Sequence, residues 1–171
     1  PEFIESNLKS ERIHVAVASE NQGFSHGVNH GYNIAQDLWG DFDFVVLLNP
    51  DVLSAGPVAC ELVHRAEQES ERAFGIWGVV LRNERGEMDK GCARRTWNHR
   101  RLLSHLIGYP ALETLLCTPP RNLTESELRH DQSQLAMVSG ALMCIRTAVL
   151  QKGLDTRLPM YLEDQEICFR C

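Results

Sequence analysis

The feature that most constrains the fold is the apolar run Phe44-Val45-Val46-Leu47-Leu48, which stops abruptly at Asn49-Pro50-Asp51. A strand there gives way to a loop and leaves a carboxylate at its carboxyl end, where ligands of open α/β sheets gather. The surrounding pattern supplies helices. Ile13 to Val17 alternates as a strand, Asn21 to Gly27 is a glycine-rich turn, and Val28, Tyr32, Ile34, Ala35 and Leu38 recur at roughly helical spacing. After Asp51 a helix is expected from near Pro57, with Val58, Leu62, Val63 and Ala66 inward and Glu61, Arg65 and Glu69 outward. Alternating strands and helices predict an α/β domain with a largely parallel sheet.

Further along, Phe74 to Leu81 reads as a buried strand and Asn83-Glu84-Arg85-Gly86 as the turn of a hairpin returning through Met88. Arg94, Arg95, His99, Arg100 and Arg101 precede a leucine-rich stretch ending at Leu116, which suggests an interrupted amphipathic helical segment with a basic leading edge. Pro119 to Gln134 is polar and reads as a mobile loop. Leu135 to Arg146 reads as a central strand broken by Ser139-Gly140, where glycine marks a bulge or a close backbone approach. A short helix over Thr147 to Lys152, ended by Gly153, and a last element opening at Tyr161 complete the pattern.

With 171 residues the chain fits one domain. A net charge of -6 argues against nucleic acid or anionic lipid as an electrostatic partner. No apolar run has the length to cross a bilayer. Six scattered cysteines, without a signal peptide, point to reduced thiols in a cytosolic compartment. Cys168 and Cys171 form one C-x-x-C, but no second pair accompanies it.

Chemistry-bearing residues fall in three segments: Asn21 to Asn29, Asn49-Pro50-Asp51, and Tyr161 to Arg170 with its adjacent acids Glu163 and Asp164. Each has a plain structural alternative. Asn-Pro-Asp is a favoured turn, and acids suit the first turn of a helix. His26 and His30 have a metal-compatible spacing without a third ligand, Trp77 and Trp97 can be core or sugar-stacking residues, and the Arg94 to Arg101 cluster can be a solvated face or meet a diphosphate-lipid or headgroup.

In this order and spacing, the three segments resemble the inverting glycosyltransferases of family two, in particular the rhamnosyltransferase-like branch. The resemblance implies a GT-A-like, Rossmann-related α/β fold over residues 1–171 as a single truncated domain, with a strand and helix preceding it and a C-terminal part following it; separately, Pro1-Glu2-Phe3 reads as a cloning-linker remnant. It implies transfer of a sugar, favoured as rhamnose from dTDP-rhamnose, from a nucleotide-sugar donor to a hydroxyl of a polysaccharide or glycolipid acceptor. Asp51 would hold Mg²⁺ or Mn²⁺, with Asn49 where most such folds carry the first Asp of an Asp-x-Asp. Asp164 would be the general base and Glu163 its modulating neighbour. Gly23 and Asn29 would border the donor nucleotide, and Gly140 and Ala141 the sugar pocket. A cytoplasmic location at the inner face of a membrane and self-association through an open sheet edge are expected with it. Two alternatives stand beside this reading: a non-catalytic nucleotide- or glycan-binding domain, and a sugar nucleotidyltransferase, whose usual glycine-rich basic phosphate loop is not visible near the start.

Overall fold

The computed structural model describes residues 13–54, 56–69, 75–95, 121–133, 135–158 and 162–171. In chain order these form α1 (Phe24–Trp39), β1 (Phe44–Leu48), α2 (Val58–Gln68), β2 (Ile76–Gly78), β3 (Ala93–Arg95), α3 (Glu125–His130), β4 (Leu135–Val138), β5 (Leu142–Arg146), α4 (Thr147–Leu150) and α5 (Glu163–Arg170).

Glycines bound the first helix. Gly23 takes φ 91 immediately before α1, and Gly40 takes φ 77 after it while donating its N–H to Gln36 O at 2.9 Å. Both conformations are strained for residues with a Cβ, so both ends of α1 are written locally. The helix turns Tyr32 inward, with its ring edge-on to Phe42. α2 is capped by Pro57 and buries Leu62 and Ala66, as its spacing predicts.

The main sheet has the order β1-β5-β2, and both ladders are antiparallel. This corrects the expectation of a largely parallel sheet while leaving the α/β class intact. Because β1 and β2 each oppose β5, they run in the same direction, as strands joined through a crossover helix such as α2 should. Sequence alternation reports the crossover but not the late strand that inserts between its two ends.

β5 is buried on both faces. Met143 and Ile145 pack with Tyr32, Leu150, Leu154 and Ile167, while Leu142 and Cys144 face Leu62, Ala66 and Trp77. A helix-covered strand can therefore be apolar at successive positions. At its end, the Arg146 guanidinium lies 5.7 Å from both the Phe44 and Trp77 ring centres. The Trp77 indole donates to Glu69 Oε2 at 3.2 Å, so its role is in the core.

β3 and β4 make a second antiparallel pair with an irregularity between Arg94 and Arg95. The expected single interrupted strand is thus two strands in different sheets, joined by Ser139-Gly140-Ala141. The hairpin over Asn83 to Gly86 is present, with Gly86 N bonded to Asn83 O at 2.9 Å and Arg82 bridging Met88.

Three local expectations fail. The Asn21 to Gly27 turn ends early, because α1 begins at Phe24 directly after the positive-φ Gly23. Ile13 to Val17 is described without strand pairing, and Ile13 and Val17 are exposed. Within the stretch read as a mobile loop, α3 forms under a reciprocal cap in which Thr124 Oγ1 accepts from Glu127 N and the Glu127 carboxylate accepts from Thr124 N. The Thr-x-x-Glu spacing carries that information, and Leu128 anchors the turn in a cluster with Cys92, Ala93 and Leu123. The leucine-rich segment expected after Arg95, with Trp97, lies outside the described residues.

Ile145 is fully buried in the central strand. Ile145→Ala should lower stability by about 2–5 kcal/mol, the range for truncating a large aliphatic side chain in a rigid core. A shifted urea midpoint at constant slope would report this loss.

Candidate functional site

The site is built where the chain crosses from the second sheet to the first. Ser139 N donates to Cys92 O at 3.1 Å, and Ala141 N donates to Ser139 Oγ at 3.2 Å. The carbonyl of the same residue, Ala141 O, accepts from Asn49 N at 2.8 Å, which ties the crossover to the end of β1. A Cβ placed on Gly140 would stand 3.5 Å from Asp164 Cβ and 3.9 Å from the Phe24 ring. The crossover thus lies between the starts of α1 and α5.

Of the residues singled out from sequence, Asn49, Gly140, Ala141 and Asp164 are joined by these contacts, and Gly23 sits next to Phe24 as the N-cap of α1. Asp51 is exposed two residues beyond Asn49, in a turn closed by Val52 N to Asn49 O at 3.2 Å. Among the described residues no hydrogen bond or ion pair links Asp51 to Asp164. Asn29 has its amide committed to the fold: Nδ2 donates to Leu154 O at 2.9 Å, and Oδ1 accepts from Leu154 N at 2.7 Å.

The acidic pair occupies the first turn of α5, where negative charge suits the helix dipole. The helix is entered through Leu162 at φ 81, a left-handed conformation in a residue with a bulky side chain. Such geometry costs on the order of 1–2 kcal/mol and fixes the direction in which the first turn leaves the loop. Glu163 Oε2 is buried without a hydrogen bond among the described residues. Burial, reinforced by the Asp164 charge, pushes the Glu163 carboxyl above its ordinary value, and Arg94 works against that rise.

In sequence the arginines form a basic cluster. In the fold Arg94 Nη1 stands 3.5 Å from Asp164 Oδ2, with both side chains largely withdrawn from solvent. Arg95 is buried and pairs with Glu127, while Arg121 Nη2 donates to Gln165 Oε1 at 2.6 Å. Arg121 was not singled out by any motif. Its place follows from pairing with β3, through Arg95 N to Arg121 O at 2.8 Å and an Arg94–Asn122 bridge.

Among the described residues no three His, Cys, Asp or Glu side chains gather as a metal site. His26 and His30 are exposed on α1. Burial pushes the Cys168 thiol up to about 11 and raises Cys171 as well, which disfavours the thiolate form needed for metal or redox chemistry. An apolar groove of about 350 Å³ between α1 and β1, lined by Tyr32, Trp39, Phe42 and Val45 among others, contains none of the candidate residues. No described helix is long and apolar enough to cross a membrane.

No curated protein and no solved structure matches the chain. The model of one family does, the family described as "Glycosyltransferase like family 2", and it runs over residues 2–171. That match takes in the end of β1, the Ser139–Ala141 crossover and the acidic start of α5 together, and the chain accordingly belongs to glycosyltransferase family 2 and is a glycosyltransferase.

Proposed function

We propose that the chain carries out inverting transfer of a sugar, rhamnose from dTDP-rhamnose, to a hydroxyl of a polysaccharide or glycolipid, with Asp164 as the base. The family implies a nucleotide-sugar donor and a saccharide-type acceptor. The observation that supports the assignment is the nearness of Asp164 to the Gly140 crossover, its Cβ 3.5 Å from where a Cβ on that glycine would stand, beside the Ala141–Asn49 bond at the end of a sheet strand. The donor sugar rests on the resemblance of the three ordered segments.

The reaction needs three things from these residues. Asp164 accepts the proton of the acceptor hydroxyl, the freed oxygen pair attacks the anomeric carbon, and the bond to the diphosphate breaks with its electrons leaving on the nucleoside diphosphate. The backbone at Gly140 and Ala141 bounds the pocket for the sugar, and Gly23 with the first turn of α1 borders the nucleotide. Asn29 holds the Leu154 backbone and so supports the helix that forms this border.

Enzymes of this family generally use a divalent cation. The donor set here fits Mg²⁺ or Mn²⁺ held by few protein oxygens: Asp51 offers one exposed carboxylate, and Mg²⁺ is commonly bound through one or two carboxylates plus substrate phosphates. Such an ion would neutralise charge growing on the diphosphate. Asn49, in place of an acid, leaves Asp51 as the only anionic side chain of the Asn-Pro-Asp turn.

Asp164→Asn should leave donor affinity nearly unchanged and lower single-turnover transfer by about a hundredfold or more, the scale of general-base catalysis. Glu163→Gln should lower it less. Near-normal transfer by Asp164→Asn would sink the base assignment, and absence of transfer by the unaltered protein would favour a binding domain.

Asp51→Ala should remove Mn²⁺ binding in the presence of dTDP, read by electron paramagnetic resonance, and abolish transfer without altering the unfolding temperature, since the side chain is exposed. Unchanged Mn²⁺ binding would exclude Asp51 as the ligand.

The raised proton affinity of Glu163 predicts a pH effect on stability. The folded chain favours the protonated acid, so this contribution is full below the ordinary Glu value and is lost as pH rises through the folded value. Relative to Glu163→Gln, the wild type should lose stability as pH rises from below the ordinary Glu value toward neutrality. A constant difference in urea midpoints across that range would contradict the burial of Glu163.

A further inference from the structure

We propose that Arg94 is the positioning residue for Asp164, holding one carboxylate oxygen so that the other is presented to the acceptor hydroxyl. The inference rests on the reading of Asp164 as base. An Asp on the first turn of a helix has a short side chain with a free χ1 choice, and a base must be held in one orientation for proton transfer to compete. Arg94 Nη1 lies 3.5 Å from Asp164 Oδ2, where a guanidinium can fix a carboxylate. Among the described residues Asp164 has no hydrogen bond that would do this instead.

Three features aim Arg94. The irregularity between Arg94 and Arg95 in the β3–β4 ladder changes the local direction of the strand, as bulges do when they re-aim a side chain. Arg95, the next residue, pairs with Glu127. Gly91 leaves room: a Cβ there would come within 3.2 Å of Arg94 Nη2. Arg121 fastens the same edge to Gln165, so two arginines from adjacent chain segments reach consecutive residues of α5.

The charge arrangement fits the role. Arg94 faces two acids, Glu163 and Asp164. Of the two, the carboxylate in ion-pair contact with the guanidinium is that of Asp164, at 3.5 Å.

The test is a double-mutant cycle in the full chain, with dTDP-rhamnose as donor and dTDP as the binding probe. Arg94→Ala should lower kcat by about ten- to a hundredfold while donor KM and dTDP affinity stay within about twofold. Arg94→Lys should recover part of kcat, and added guanidinium should partly rescue Arg94→Ala. In the Asp164→Asn background Arg94→Ala should have little further effect, since its role passes through that carboxylate. Full additivity of the two losses, or a raised donor KM at unchanged kcat, would overturn the proposal, the latter by assigning Arg94 to the diphosphate. Asp164→Asn alone reports on the base: normal transfer in that variant refutes the underlying reading whatever Arg94 does. The same cycle in thermal unfolding needs no donor, and absence of coupling there would show that the ion pair does not hold in solution.

Discussion

Burial of β5 on both faces is the constraint on which the rest of the molecule depends. Met143 and Ile145 fill the side of Tyr32, Leu150 and Ile167, and Leu142 and Cys144 fill the side of Leu62, Ala66 and Trp77. Two helical layers therefore share one strand, and β1 and β2 are held parallel to each other only because each pairs with it. Burying several large aliphatic side chains at about 1.5–3 kcal/mol each makes this strand the principal source of favourable free energy in the described core.

The position of the site follows from how the chain reaches β5. It arrives from β4 in another sheet and must change sheets over Ser139, Gly140 and Ala141. A backbone leaving one ladder and entering another has polar groups to satisfy, and here Cys92 O, Ser139 Oγ and Asn49 N meet that need. Gly140, at the midpoint, faces Asp164 and Phe24, whose atoms would stand 3.5 and 3.9 Å from a Cβ placed there. The same crossover that solves a packing problem thus gathers the ends of β1, α1 and α5.

Polar contacts between the second sheet and α5 have a different character. Arg94–Asp164 and Arg121–Gln165 connect partly buried groups, where removal of one partner strands the other in a poorly solvated setting. These contacts act as orientation devices. Their energetic value is set by geometry, whereas the value of the β5 core is set by area. The left-handed Leu162 belongs with them, because strain at the entrance to α5 persists only where the surrounding structure dictates it.

Local chemistry was enough to locate much of this in the amino-acid sequence. The apolar periodicity of α1 from Val28, the Pro57-led α2, the hairpin at Asn83–Gly86 and the Ser-Gly break are short-range consequences of allowed dihedrals and periodicity, and the order of the three motifs sufficed to indicate the family. The cap of α3 was equally local in Thr124 and Glu127 but was outweighed by the polarity around it. Tertiary structure alone decided that β5 inserts between β1 and β2, that Ile13 to Val17 does not pair among the described residues, and that Arg94 and Arg121 turn toward α5. Each of these depends on a partner distant in the chain: Arg94 and Asp164 are 70 positions apart, and no propensity or spacing rule measures the 3.5 Å that joins them. Alternation tells which residues a strand will bury, but pairing and the matching of charges are settled only when distant segments compete for the same space.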